Sequence, residues 1–144
     1  MYLNELKTGM QLTTKSITVD KSRMLAFAEE FNPAPIHTDE DYAASTKFGQ
    51  LLSPGMFSFL LVWAKYIEQD FFGDALIAGK STKVEWDAPV FAGDTLTGHA
   101  EIIDIIPRNA RNGIAVLALD VCNQNGDTVL RSVTEAVVRC SPNP

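Results

Sequence analysis

The chain contains two histidines, and one of them, His37, closes the segment Asn32-Pro33-Ala34-Pro35-Ile36-His37. Histidine is the side chain whose ordinary pKa, near 6.5, suits it to give and take protons at neutral pH. Two prolines in six residues fix their own φ and push Asn32 and Ala34 toward extended backbone. The segment is therefore expected to leave the helical path and to present His37 from a stiff loop, and rigid placement is what a general acid or base needs. Then comes Ser53-Pro54-Gly55-Met56, its glycine eighteen residues after His37, at the head of a long apolar stretch. A backbone N–H at the start of a helix can stabilise a developing oxyanion, and glycine lets a ligand approach the backbone closely. A rigid base and an oxyanion donor together point to chemistry on an acyl group. Each residue also has a plainer reading: His37 as a loop cap, Asn32 as a turn former before proline, and Gly55 as an ordinary helix start.

The flanking residues predict the elements that hold these groups. Thr13–Val19 alternates weakly and reads as a short strand. Asp20 is a good N-cap, and Met24, Leu25, Phe27 and Ala28 follow at helical spacing. A helix is thus predicted over Lys21–Glu30, closed by the Asn32-Pro33 pair. Asp39–Ser45 reads as a second short helix with Thr38 as its cap, which makes Asp39 and Glu40 first-turn residues rather than catalysts. Met56 to about Gln69 is the strongest helix: Phe59, Leu60, Trp63 and Ile67 recur at steps of three and four. It is apolar nearly all round, which predicts a largely buried helix. From residue 76 the chain is rich in Val, Ile, Thr and Leu, and long strands are expected over Ser81–Val90, Thr95–Ile106, Ile114–Asn123 and Thr128–Cys140. Asn125-Gly126-Asp127 is a strong hairpin signal. Helices followed by antiparallel strands predict an α+β domain, its sheet packed on one buried helix.

Composition narrows the function. A chain of 144 residues is read as one domain, residues 1–144, able to bury a core without disulfides or metals. Hydrophobic residues make up 46% and charged residues 21%, an ordinary globular profile. A net charge of −6 argues against nucleic acid as a partner. The apolar run Met56–Ala64 is too short to span a membrane, and Met1–Met10 has no apolar core of the kind a signal peptide needs. Cys122 and Cys140 form no Cys-x-x-Cys pair and read as reduced residues of a cytoplasmic protein. Two histidines sixty-two residues apart and no Cys/His spacing predict no metal centre, and no cofactor is called for. His99, on a predicted strand, reads as structural or surface, and Asp94 after Gly93 as turn chemistry.

Several pieces then fall into one order: Phe27-Ala28, Pro35-Ile36-His37, Asp39-Glu40, Tyr42-Ala43, Phe48-Gly49, Gly55-Met56, Pro89-Val90 and Gly93-Asp94-Thr95-Leu96. In that order and spacing the chain resembles the MaoC-like dehydratases, the group of hotdog-fold proteins that includes (R)-specific enoyl-CoA hydratases. The resemblance covers roughly residues 20 to 100. It implies a hotdog fold, an antiparallel sheet wrapped around one long helix. It also implies water addition across the trans-2 double bond of an enoyl thioester, or the reverse. His37 then takes the base position and Gly55 the oxyanion position, with Ser53, Pro54, Phe48 and Gly49 around the substrate. The substrate would be an acyl-CoA or acyl-carrier thioester, and the assembly a homodimer or a dimer of dimers.

The chain departs from the family at one important point. The family's aspartate position holds Asn32, and an amide cannot accept a proton at neutral pH. In a second alignment, Glu30-Phe31-Asn32-Pro33 lies on the family's Asp-x-Asn-Pro form, with Ala34-Pro35 inserted. Two other functions stay open beside the hydratase. One is a thioesterase, for which Glu30 or Glu85 would supply the carboxylate base. The other is an acyl-thioester binder without catalysis. Lys80, Lys83, Arg108 and Arg111 are available for nucleotide phosphates, with nothing in the sequence to place them.

Overall fold

The computed structural model describes residues 1–142. A 3-10 turn at Leu3–Glu5 leads into two short strands, β1 (Gln11–Thr13) and β2 (Ile17–Thr18). Three helices follow, α1 (Lys21–Phe31), α2 (Pro35–Thr38) and α3 (Glu40–Ala44), and then the long helix α4 (Gly55–Ile67). The chain finishes with four long strands, β3 (Leu76–Trp86), β4 (Thr95–Pro107), β5 (Asn112–Cys122) and β6 (Thr128–Arg139). All pairings are antiparallel, in the order β1-β4-β5-β6-β3, with β2 also on β4.

The predicted caps and turns account for much of this. The Asp20 carboxylate accepts the Arg23 N–H at 2.9 Å and starts α1. Gly126, with φ of +80°, closes the β5–β6 turn, where the Asn123 N–H donates to the Asp127 carbonyl at 3.0 Å. Four expectations need correction. The predicted strand over Thr13–Val19 is split into β1 and β2. The segment before His37 is not a loop throughout: Pro35 takes the first position of a one-turn helix, where its missing N–H costs nothing. Thr38 ends that turn, so Asp39 and not Thr38 caps α3, through the Tyr42 N–H at 3.1 Å. Strand β3 begins at Leu76 and stops at Trp86, because Asp87 and Ala88 turn away onto the Val129 carbonyl.

Helix α4 packs against β4 and buries Phe57, Phe59, Leu61, Val62 and Tyr66. Close approach to β4 depends on Gly98, where an added β-carbon would stand 2.6 Å from Val62 and 2.9 Å from Leu119. The expectation of a helix buried on all sides holds for one side only. Met56, Leu60 and Ile67 are each more than 40% exposed, because the sheet covers one face and nothing among the described residues covers the other. Strand β3 ends the sheet as a free edge, exposed along nearly its whole length.

Candidate active site

A cleft of about 380 Å³ opens where α1, α2, the head of α4 and the end of β3 meet. Asn32, His37, Ser53, Gly55, Ser58 and Trp86 line it, together with Leu52, Met56 and Ala88–Val90. Asn32 arrives as the C-cap of α1, its N–H on the Ala28 carbonyl at 2.9 Å. His37 arrives from the one-turn helix α2, only 8% exposed. The α4 entrance is tied to α2 by the Leu52 N–H on the Ile36 carbonyl at 3.1 Å, and to the segment after β3 by the Ser53 N–H on the Val90 carbonyl at 2.8 Å.

The decisive contact is between His37 Nδ1 and the Leu52 carbonyl oxygen, at 2.6 Å. A carbonyl only accepts, so Nδ1 carries the proton and donates. The neutral ring therefore has its lone pair on Nε2. Gly55 opens α4, and the first N–H groups of a helix have no partner within it. In the cleft lining, Ser53 and Ser58 share a buried hydrogen bond, Oγ to Oγ at 2.8 Å, and both are less than 5% exposed.

One wall is the indole of Trp86. A β-carbon added to Gly55 would stand 2.5 to 2.9 Å from three of its ring atoms. The glycine is needed here because a side chain of the protein itself packs against it, which corrects the expectation that the space serves the ligand. The wall is braced from outside. Arg131 donates to both carboxylate oxygens of Asp87, at 2.8 and 3.2 Å, and its hydrogen bond holds the Asp87 carboxyl below the ordinary carboxylate range.

The structure gathers His37, Asn32, Gly55 and Ser53 in one cleft and leaves the other named residues out of its lining. Pro54 is fully buried as the N-cap of α4. Phe48 lies tilted against Phe91, with ring centres 6.5 Å apart. Gly49, with φ of +72°, faces a separate hollow with Lys21, Glu40 and Leu51. Sequence reasoning missed Trp86, Ser58 and the Leu52 carbonyl. No local signal marks Trp86, which is forty-nine residues from His37 in the chain. Glu30 and Glu85 are exposed, and Glu85 is paired with Lys83 and Arg131; no carboxylate lines the cleft among the described residues. Nor do three His, Cys, Asp or Glu side chains come together to hold a metal ion among them. No helix is long and apolar enough to cross a membrane.

Comparison with known proteins gives the family and the fold. The family profile described as MaoC like domain matches residues 4–121. The uncharacterized protein YdeM of Bacillus subtilis (strain 168) is 29% identical over 96% of this chain and 99% of its own length. A 3-hydroxybutyryl-CoA dehydratase of Methylorubrum extorquens (strain AM1) is 27% identical over 96% of this chain and 83% of its own. The crystal structure of a MaoC-like dehydratase from Rhodospirillum rubrum superposes with a TM-score of 0.89 at 28% identity, covering 99% of both chains. The α+β architecture of a sheet against one long helix is the hotdog fold.

Proposed function

Because the chain belongs to the MaoC-like domain family, we propose that it hydrates trans-2-enoyl thioesters, or dehydrates the corresponding 3-hydroxyacyl thioesters. The observation that carries this reading is the His37–Leu52 bond, which leaves a basic Nε2 in a cleft that also contains the head of α4. In hydration, Nε2 takes a proton from a water molecule as the water oxygen bonds to C3. The C2–C3 π electrons move toward the thioester carbonyl, and the Gly55 N–H at the positive end of α4 stabilises the enolate oxygen. The protonated imidazole then returns its proton to C2. Asn32 accepts a hydrogen bond from the water and orients it, a task that needs no proton transfer.

A cleft without a carboxylate speaks against a thioesterase, whose attacking water needs such a base. Asn32 in place of an acid is the observation that favours the second reading, an acyl-thioester binder without turnover. The test is a series of enoyl-CoA esters of increasing chain length. Loss of enoyl absorbance without thiol release supports the hydratase, thiol release supports the thioesterase, and binding with neither supports the binder.

The same reading includes a homodimer. Met56, Leu60, Trp63 and Ile67 form an apolar stripe along α4 at steps of four, three and four, and β3 is an unprotected edge of eleven residues. A second copy placed across a two-fold axis covers both at once.

A further inference from the structure

The basic residues left unplaced by the sequence separate clearly in the structure. Lys80 pairs with Glu135, Lys83 with Glu85, and Arg131 with Asp87. Among the described residues none of the ion pairs engages Arg108, Arg111 or Arg139. These three stand together. Arg108 N–H donates to the Asn112 carbonyl across the β4–β5 turn, Asn112 faces Arg139 in register, and the Cys140 N–H donates to the Arg111 carbonyl at 2.7 Å. Arg111, Asn112, Arg139 and Ile77 line one hollow of about 520 Å³. Asn112 Oδ1 is buried there with no hydrogen-bond partner among the described residues. In a chain of net charge −6, this is a local excess of positive charge with an unanswered acceptor beside it. A nucleotide supplies the complement, phosphates for the guanidinium forks.

The hollow lies at the wrong end of the molecule for the chain's own cleft. Ile77 is at the start of β3 and Trp86 at its end, nine residue steps or about 30 Å apart. The arm of coenzyme A between the thioester sulfur and the first phosphate has about thirteen bonds, a reach of about 15 Å at the extension of a peptide backbone. An antiparallel two-fold pairing of β3 with its copy removes the mismatch, because it brings the Ile77 end of one strand beside the Trp86 end of the other. We propose that Arg111 and Arg139 of one protomer form the subsite for the 3′-phospho-ADP of a coenzyme A thioester whose acyl group lies in its partner's cleft. The hollow is concave and its arginines are confined to one small area, which suits a nucleotide rather than the broad surface of a carrier protein.

This inference rests on the thioester reading and the homodimer above, and its tests separate the two. The kcat/KM of Arg111→Ser/Arg139→Ser is measured on crotonyl-CoA and on crotonyl-pantetheine, which lacks the nucleotide. The ratio of the two values falls at least about tenfold. An unchanged ratio overturns the subsite, as does an equal loss on both esters or a matching loss in Lys47→Ser, the cation beside Phe48. The mixed dimer of His37→Ala with Arg111→Ser/Arg139→Ser decides the trans arrangement. Its surviving His37 faces intact arginines only if these come from the other chain, so a wild-type ratio supports the proposal and the double variant's ratio overturns it. Calorimetry of free coenzyme A needs no turnover. If the wild type hydrates nothing but binds coenzyme A, and the arginine variant binds it tenfold more weakly, the hydratase reading fails and the subsite stands. If hydration proceeds and binding does not move, the reverse holds. Binding of a carrier protein in preference to coenzyme A, lost in the same variant, also overturns it.

Discussion

The indole of Trp86 occupies the space that any side chain at Gly55 would need, so the last residue of β3 and the first of α4 form one unit of the cleft. Gly55→Ala drives a methyl group into that ring and is expected to cost about 1–3 kcal/mol of stability. Trp86→Ala in the same background should recover most of this loss. Chemical denaturation of the two single variants and the double variant gives the coupling directly; additive effects would show that the ring yields freely.

His37→Ala should lower kcat for hydration by about 10²- to 10⁴-fold. The fold should survive, since the imidazole's hydrogen bond to the Leu52 carbonyl is worth about 1 kcal/mol. Steady-state kinetics with circular dichroism decides this, and an unchanged kcat in the folded variant would show that the ring is only a cap on the Leu52 carbonyl.

Asn32→Asp puts a carboxylate where it can accept the water proton. On simple enoyl-CoA esters the variant should be faster. A negative charge beside His37 favours the protonated ring, so the basic form is reached at higher pH and the pH–rate profile moves upward. On esters carrying a carboxyl group it should be slower, through charge repulsion. No change in rate or profile on either class would show that residue 32 does not meet the reacting water.

Leu60→Lys plants a charge in the middle of the exposed stripe of α4. It should dissociate the assembly to monomers at micromolar concentration in sedimentation velocity, with the far-UV spectrum intact. A wild-type protein that already sediments as a monomer would exclude the dimer.

Tyr66, on the buried face of α4, has its phenol pushed up to about 12 by burial, against an ordinary value of 10.0. Below pH 10 the group is neutral in folded and unfolded chains alike. As pH rises from 10 toward 12 only the unfolded chain ionises, so its contribution to stability is lost over that window, by about 2–3 kcal/mol. Tyr66→Phe should flatten the fall of Tm between pH 9 and 11.5 relative to the wild type. Parallel curves would show that the phenol titrates freely in the folded protein.

The elements legible in the sequence are those stated within a few residues. The Asp20 cap, the Asn125-Gly126 turn and the three- and four-residue steps of α4 rest on local backbone geometry, and the structure keeps them. The errors fall where a neighbour decides. Pro35 reads as a breaker until it is placed at the first position of a helical turn. The exposed stripe of α4 reads as core until it is clear that one chain has sheet enough for only one face.

By itself the sequence determined which groups can do chemistry: His37, the amide at Asn32 and the glycine before an apolar helix, because side-chain type and nearby backbone freedom are properties of the chain. Only the tertiary structure decided how they are placed. The Leu52 carbonyl chooses the ring nitrogen of His37, Trp86 fills the space above Gly55, Phe48 and Gly49 are turned from the cleft, and Arg111 and Arg139 share a hollow at the far end of β3. Each of these is a contact between residues distant in the chain, created by sheet pairing and helix packing, and a residue's own neighbours carry no trace of it.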